Sequence, residues 1–467
     1  MESIYRVFSN TRCFKIIGII IFLAATTPYS DFIYKYGIYI LSIWGTLLSF
    51  DMLIKHKIKL NRIDWLVGIF LVGYMITMLV NIEDGLFRQG FVFLCCLMYF
   101  FIFFSAEYNS IEENRKINDI ILKIILYFTF FAIIVSFIVL FCDLTNKMNH
   151  SYNLEGGTEF QFMGIYKALS TQASLSGISA LCSIHFIIQC VKTRRKSTWL
   201  VFNIVNFIIQ GVAMILAYTS ASIVMFIGSS FIAILIISIK ISAHKQIVKT
   251  IRNIAIGTLL MFVCFFSLNG IANLFSDLFI NGTSVSQVEY TPFTSNARTD
   301  NSKIGKDDVK MKQNSALAEI FRSNGRIPIW QEAISVWKNH PIFGVGYGNF
   351  HMEFDVQTDK GTVNLQYEDV HNGYLEVLVA CGLVGFISIM LFGGYYLVRL
   401  LIGIFCNRID CLDIGVILIL IAVCISAMAN QLFILDRSLH SFLLCIFLGF
   451  IRSLYVREKK GGKENAI

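Results

Sequence analysis

Residues Phe226–Ile239 read FIGSSFIAILIISI, a run without one charged side chain that ends at Lys240 and continues upstream to Ala221. About 20 mostly apolar residues, at the 1.5 Å rise of an α-helix, cross the roughly 30 Å of hydrocarbon in a bilayer. Backbone placed there finds no water, so the run must be a helix that satisfies its own amide groups. Ile16–Ala25 and residues 120–142 have the same character, and the whole chain of 467 residues is 56% hydrophobic and 15% charged. Soluble domains carry roughly a quarter charged residues, so lipid is the expected solvent. Working outward from Phe226–Ile239, the pattern predicts helices over about 14–29, 36–54, 64–81, 87–105, 118–142, 169–190, 198–216, 221–239, 253–275, 373–398, 412–430 and 438–455. The expected fold is all-α: a polytopic integral membrane helical bundle of about twelve transmembrane helices.

Three stretches follow. Residues 1–275 hold helices 1–9, residues 276–372 form a long loop between helices 9 and 10, and residues 373–467 hold helices 10–12 and a short tail. Placing the N-terminus in the cytoplasm puts 24 Lys and Arg on that side, against five in the short outer loops: Lys35, Arg88, Lys147, Lys167 and Arg437. The positive-inside rule therefore predicts cytoplasmic termini and an extracytoplasmic long loop. A net charge of +8 then requires no nucleic acid. The twelve cysteines fall almost entirely inside predicted helices, with no Cys-x-x-Cys pair and no Cys/His ligand spacing, so no metal and no redox cofactor is implied. The first apolar stretch lacks a small-residue cleavage site and reads as a retained helix rather than a signal peptide.

The long loop carries the candidate chemistry. Its first part, roughly Gly282–Ser315, is rich in Ser, Thr, Asn, Gln, Lys and Asp and reads as a mobile tether. Its second part is patterned. From Asn324 the sequence is NGRIPIWQEAISVWKNHP, with Trp330, Ala333, Ile334 and Trp337 at helical spacing. Asn324 is a candidate cap, Pro328 suits a first turn, and His340-Pro341 ends the helix. Two tryptophans on one face predict a helix at the membrane interface or against the outer ends of the bundle. Arg322 and Arg326 stand at its N-terminal edge, and solvation or lipid headgroups are the simpler account of them.

Gly344-Val345-Gly346-Tyr347-Gly348-Asn349-Phe350 follows. It fails as a dinucleotide fingerprint, because Asn349 takes the place of the third glycine and no βαβ unit surrounds it, so a tight turn with close backbone approach is expected. The loop closes with Glu368, Asp369, Val370, His371 and Asn372. A surface imidazole needs no function by itself. An imidazole that accepts a proton at neutral pH, beside permanently charged arginines that hold diphosphate oxygens, points to group transfer from a phosphate-linked donor.

The ordered set Ser323, Gly325-Arg326, Trp330, Pro341, Gly344-Val345-Gly346, Asn349-Phe350, His371-Asn372, Gly382 and Gly385 resembles the signature of the O-antigen polymerase and ligase superfamily. The resemblance covers about residues 210–400. It implies a metal-independent membrane glycosyltransferase that moves glycan from an undecaprenyl-diphosphate carrier to an acceptor sugar outside the bacterial cytoplasmic (inner) membrane. It also implies roles for residues. His371 matches the histidine that activates the acceptor hydroxyl, and Arg326 matches the loop arginine that binds the diphosphate; Arg322, Trp330 and Asn372 are the neighbouring substrate-binding candidates. Where many members carry Thr-x-Ser-Arg, this chain has Thr219-Ser220-Ala221-Ser222. Lys167 and Arg437 are the candidates to supply the missing charge.

Among the reactions this resemblance allows, a polymerase of O-antigen, capsule or exopolysaccharide is preferred, because the chain ends in a short basic tail with no added domain for a protein acceptor. Its partners are then the lipid-linked oligosaccharide, membrane lipid and a chain-length regulator. A ligase to a lipid or protein acceptor is the alternative. A flippase or transporter is the rival of another class, with His185 and Lys123 as its few intramembrane ionisable residues.

Overall fold

In the computed structural model, residues 8–464 are described except 28–31, 56–59, 83–84, 142–161, 195–197, 218, 242–246, 283–325, 359–360, 368, 406–412 and 431–432. The Gly282–Ser315 tether, Asn324 and Arg322 therefore lie almost wholly outside the described residues. The chain forms α1 (Thr11–Ala24), α2 (Ile38–Ile54), α3 (Trp65–Val80), α4 (Leu86–Ser105), α5 (Ile111–Phe141), α6 (Leu169–Lys192), α7 (Thr198–Leu216), α8 (Ser220–Ile241) and α9 (Ile247–Gly282). After these come α10 (Arg326–Asn339), β1 (Met352–Thr358), β2 (Gly361–Tyr367), α11 (Gly373–Phe405), α12 (Ile414–Ser426) and α13 (Leu439–Glu464).

Nine of the described helices, α2 to α9 and α11, are long and apolar enough to cross a membrane. Of the other three expected spans, α1 and α12 are shorter helices, and α13 has a shorter apolar stretch, Leu439–Tyr455. α12, with 13 residues, reaches only about 20 Å. Ile414 to Leu420, Ala422 and Val423 are all buried, so α12 is shielded by protein and need not match the thickness of the lipid. The opposite extreme is α9, whose Leu259, Leu260, Phe262, Val263 and Phe266 are exposed. In a molecule this apolar, such a surface is the lipid-facing one.

Helix starts follow from local chemistry. Asn10 caps α1 by accepting from the Arg12 N–H at 2.9 Å. Asn61 and Asp64 form a reciprocal capping box ahead of α3. Close packing relies on small residues at crossings. Gly45 of α2 leaves no room for a side chain beside Met98 of α4, and Gly177 of α6 meets Met214 and Met225.

One element was not visible as such in the sequence. β1 and β2 form an antiparallel two-stranded hairpin, pairing Phe354 with Leu365 and Val356 with Val363, between α10 and α11. The fold remains a helical membrane bundle with this single hairpin on its loop. Antiparallel connection alternates the helix directions, so the α1 C-terminus, the long loop and the α11 N-terminus share one end of the bundle, called here the loop end.

Candidate functional site

α11 is interrupted at Gly382, whose φ of 61° and ψ of −167° lie outside helical space. Such a break leaves the carbonyls before it and the N–H groups after it without intrahelical partners. The chain from Pro341 to Gly346 supplies them. The Val345 and Gly346 N–H groups donate to the Val379 and Ala380 carbonyls at 3.0 Å each, while Leu383 and Val384 donate to the Pro341 and Ile342 carbonyls at 2.8 and 3.2 Å. A Cβ on Gly344 would overlap the Val379 carbonyl, and one on Gly382 would overlap Ile342. Both glycines have positive φ. The glycine-spaced segment is thus a splice into a broken helix, the close backbone approach expected of it, and Thr77 of α3 fastens it further by donating to the Phe343 carbonyl at 2.5 Å.

The first half of α11, Gly373 to Cys381, is therefore a short rigid platform. His371 and Asn372 sit at its start. The Asn372 side chain caps the helix, accepting from the Tyr374 and Leu375 N–H groups at 3.0 and 3.1 Å. The Gly373 N–H donates to the Ala427 and Asn430 carbonyls at 2.8 and 2.9 Å, which ties the platform to the end of α12. On the other side of His371, the buried Glu376 carboxylate accepts from the Val370 N–H at 3.3 Å. Between these two ties His371 adopts φ of 52°. Left-handed backbone at a non-glycine residue costs about 1–3 kcal/mol and persists only where surroundings enforce it.

α10 brings Arg326 to the same place. Its Ile329, Trp330, Ala333, Val336 and Trp337 pack with Val345, Phe350, Val370, Val379 and Leu375, so the helix rests on the splice and on the platform together. The expected face is rotated by one position: Ile334 is exposed and Ile329 takes its place, because the platform lies under the 329–333–336 stripe. The Trp330 and Trp337 indole N–H groups have no hydrogen-bond partner among the described residues. Half-buried Arg326 is close enough to His371 for its charge to act there. Burial is the main cause that holds the His371 imidazole below its usual pKa, Arg326 adds to the lowering, and Asp369 opposes it. At neutral pH the imidazole is an acceptor.

Around this pair lie groups that sequence reasoning passed over. Burial raises Asp436 to about 6, with Ser438 and Arg437 pulling the other way and Asp369 adding to the rise. Tyr347, also buried, is held well above its ordinary value, to which the Asp436 and Glu376 carboxyls contribute. A cue existed for Glu376, a carboxylate inside an apolar span. None existed for Tyr347 and Asp436, which come from distant segments.

Of the two candidates for the missing charge, Arg437 lies over the Phe91 ring at 5.4 Å in the segment that packs against the start of α11. Lys167 lies in the turn before α6, where its N–H donates to the Thr26 carbonyl at 3.0 Å. Arg88 donates to the Gly348 carbonyl and to the Asn349 side chain, a structural anchor for the splice. His185 and Lys123 are far from this site along their helices. His185 Nδ1 accepts from the Gly415 N–H at 3.2 Å and Lys123 pairs with Asp119 at 2.6 Å.

Residues 205–390 match the family model described as O-antigen ligase. The chain carries a domain of the O-antigen polymerase and ligase superfamily. The match runs from α7 into α11 past its break and so encloses Arg326, the splice, His371 and Gly382. No curated protein matches the chain. With nine helices among the described residues long and apolar enough to cross a membrane, the chain is a multi-pass membrane protein whose residues 205–390 match the O-antigen ligase family.

Proposed function

We propose that this superfamily member is a polysaccharide polymerase. It transfers glycan from an undecaprenyl-diphosphate-linked donor to the terminal sugar of a lipid-linked repeat unit, at the outer face of the bacterial cytoplasmic membrane, with both termini in the cytoplasm. The observation that carries the reading is that Arg326 and His371, 45 positions apart in sequence, are mounted on one platform by the splice at Gly382.

The acceptor hydroxyl attacks the anomeric carbon, and its proton passes to the neutral His371 imidazole. The bond from that carbon to the diphosphate oxygen breaks, and Arg326 takes the growing negative charge of the departing lipid diphosphate. One direct displacement inverts the anomeric centre. A positioned base contributes about 10²–10⁴-fold, and cationic stabilisation of the leaving group in a water-poor site contributes as much or more. Asn372 holds His371 in place through the helix cap. Trp330, whose indole N–H has no partner among the described residues, suits contact with a sugar or headgroup. Arg437 is better placed than Lys167 to assist Arg326, because its segment packs on the start of α11 while Lys167 is tied to α1. Arg322, four residues before Arg326, remains a companion cation of the same loop.

The second reading is a ligase, favoured by the description of the matched family. Reconstitution of the purified protein with lipid-diphosphate-linked repeat units and no added metal separates the two. A ladder of longer lipid-linked glycans establishes the polymerase. Transfer only after a lipid or protein acceptor is supplied establishes the ligase, and no transfer with any acceptor overturns both.

A further inference from the structure

His185 is a buried histidine inside an apolar span, in α6 at the end of the bundle away from the long loop, and the transfer chemistry leaves it without a role. Its Nδ1 accepts from the Gly415 N–H at 3.2 Å, so the ring proton is on Nε2, which lies 4.0 Å from the Asp119 carboxylate. A Cβ on Gly415 would overlap the imidazole, so α6 and α12 meet closely here. Two residues earlier, Asp413 accepts two bonds of 2.8 Å from Arg115 of α5. These contacts pin the foot of α12. Its head is pinned as well. The Ala427 and Asn430 carbonyls accept from the Gly373 N–H at 2.8 and 2.9 Å, and the Cys424 carbonyl accepts from the Tyr374 hydroxyl at 2.9 Å. Gly373 and Tyr374 are the first two residues of α11, directly after His371 and Asn372. Between foot and head, Val416–Val423 reads VILILIAV, in which no side chain forms a hydrogen bond. Apolar packing on α6, α8 and α13 holds α12 sideways but is non-directional, so the bonds at its two ends define its height most sharply.

Resting on the transferase reading, we infer that α12 is a strut through which His185 and Arg115, at the opposite end of the bundle, act as positioning residues for His371. The backbone of His371 supplies the sensitivity. Its φ of 52° is strained, and such a conformation persists only while its surroundings enforce it. Of the two ties around it, the Val370 bond to Glu376 lies within the platform, whereas the Gly373 bonds end on the head of α12. Releasing the foot lets α12 shift along its length, which moves the Ala427 and Asn430 carbonyls and relaxes the turn at His371. A buried rigid helix with directional contacts at both ends is the kind of element that carries such coupling. Misplacement by about 1 Å, from a change far from the chemistry, costs as much as about 10²-fold in rate. His185 and Arg115 thus touch no substrate, and their effect reaches the reaction only through the placement of the imidazole.

The test uses the full chain in lipid nanodiscs, with His185→Leu, which removes the acceptor for the Gly415 N–H, and His185→Asn, which returns one near the position of Nδ1. Arg115→Lys keeps the charge but gives up the two-pronged bond to Asp413. Three quantities are read: unfolding temperature, kcat and KM for transfer, and the titration of His371 by NMR of nitrogen-labelled histidine, its resonance assigned by its loss in His371→Ala. In His185→Leu, kcat per folded molecule is expected to fall about tenfold with KM little changed, and His185→Asn to recover most of it. Burial is the main cause of the low pKa of His371, so loosening its turn moves that pKa up toward 6.5 and carries the acid limb of the rate profile to higher pH. Arg115→Lys moves both in the same direction by less. A role in stability alone would lower the unfolding temperature and leave kcat and the titration where they are. A His371 titration unchanged in His185→Leu, or shifted equally in His185→Asn, overturns the strut. A shift in His185→Leu that His185→Asn reverses, in a protein that transfers no glycan, leaves the strut standing and removes the transferase reading instead.

Discussion

At the end of the bundle away from the long loop, Arg452 is fully enclosed. It pairs with Asp64 at 2.8 Å and with Glu107 at 3.1 Å, Tyr396 donates to Asp64 at 2.8 Å, and the Phe104 ring lies 4.9 Å from the guanidinium. Nearby, Arg115 holds Asp413 with two bonds of 2.8 Å. At the loop end, by contrast, Arg326 and His371 are half-buried at the rim of their platform. Charges of the first kind are enclosed by partners that join the segments ahead of α3 and α5 to α11 and α13, so they hold helices together. Of the second kind, His371 is held by backbone ties on either side of it and Arg326 by the packing of α10. The same residue types are structural in one region and, on the proposed reading, chemical in the other, and only their surroundings separate them.

That contrast can be broken by mutation. Replacing His371 or Arg326 with alanine is expected to lower glycan transfer by about 10²–10⁴-fold, while membrane insertion and thermal unfolding stay near wild type. Product ladders and unfolding curves on the same preparations check both halves, and near-normal polymer from either variant removes that residue from the mechanism. Arg452→Ala should behave oppositely. It leaves buried Asp64 without its partner and costs about 3–5 kcal/mol of stability, read as a lower unfolding temperature with transfer per folded molecule nearly unchanged. Equal losses of activity and stability in both variants would erase the distinction between the two ends.

Gly382→Ala probes the link between the regions. A side chain at that positive-φ extended position, which is essentially restricted to glycine, costs about 1–3 kcal/mol in backbone alone, and it meets Ile342, so the splice loosens. The expected result is reduced transfer together with increased proteolysis between α10 and α11, smaller than the loss from His371→Ala. The finest test is pH. On the proposed mechanism His371 is a neutral base, so transfer is expected to fall as pH drops through its pKa, which lies below the ordinary 6.5. Asp369 raises that pKa, and Asp369→Asn therefore moves the acid limb of the rate profile to lower pH. A limb that moves up, or stays fixed, separates Asp369 from His371.

Much of the molecule was legible in its sequence. Apolar runs located the helices because a lipid solvent leaves the backbone no other way to pair its amides, and α10 emerged from tryptophan spacing and the His340-Pro341 stop. The ends of α1 and α12 were set too long, since a helix shielded by protein, like α12, obeys packing rather than bilayer thickness. The hairpin of β1 and β2 was missed, as two short alternating stretches in a polar loop carry a weak signal.

The candidate site divides in the same way. Arg326, His371 and Asn372 could be marked as candidates in the chain because their residue types and order suit the proposed chemistry. Tyr347 and Asp436 could not, because what distinguishes them is burial beside residues remote in sequence, whereas Glu376 carried an unused cue as a carboxylate inside an apolar span. By itself the sequence determined the helical membrane architecture and which residues are chemically able, through periodicity and side-chain type. Only the tertiary structure decided that Gly382 breaks α11, that Pro341–Gly346 fills the break, and that Arg326 and His371 thereby share one platform. Hydrogen bonds from one segment to the broken ends of another depend on long-range geometry, which no local pattern records.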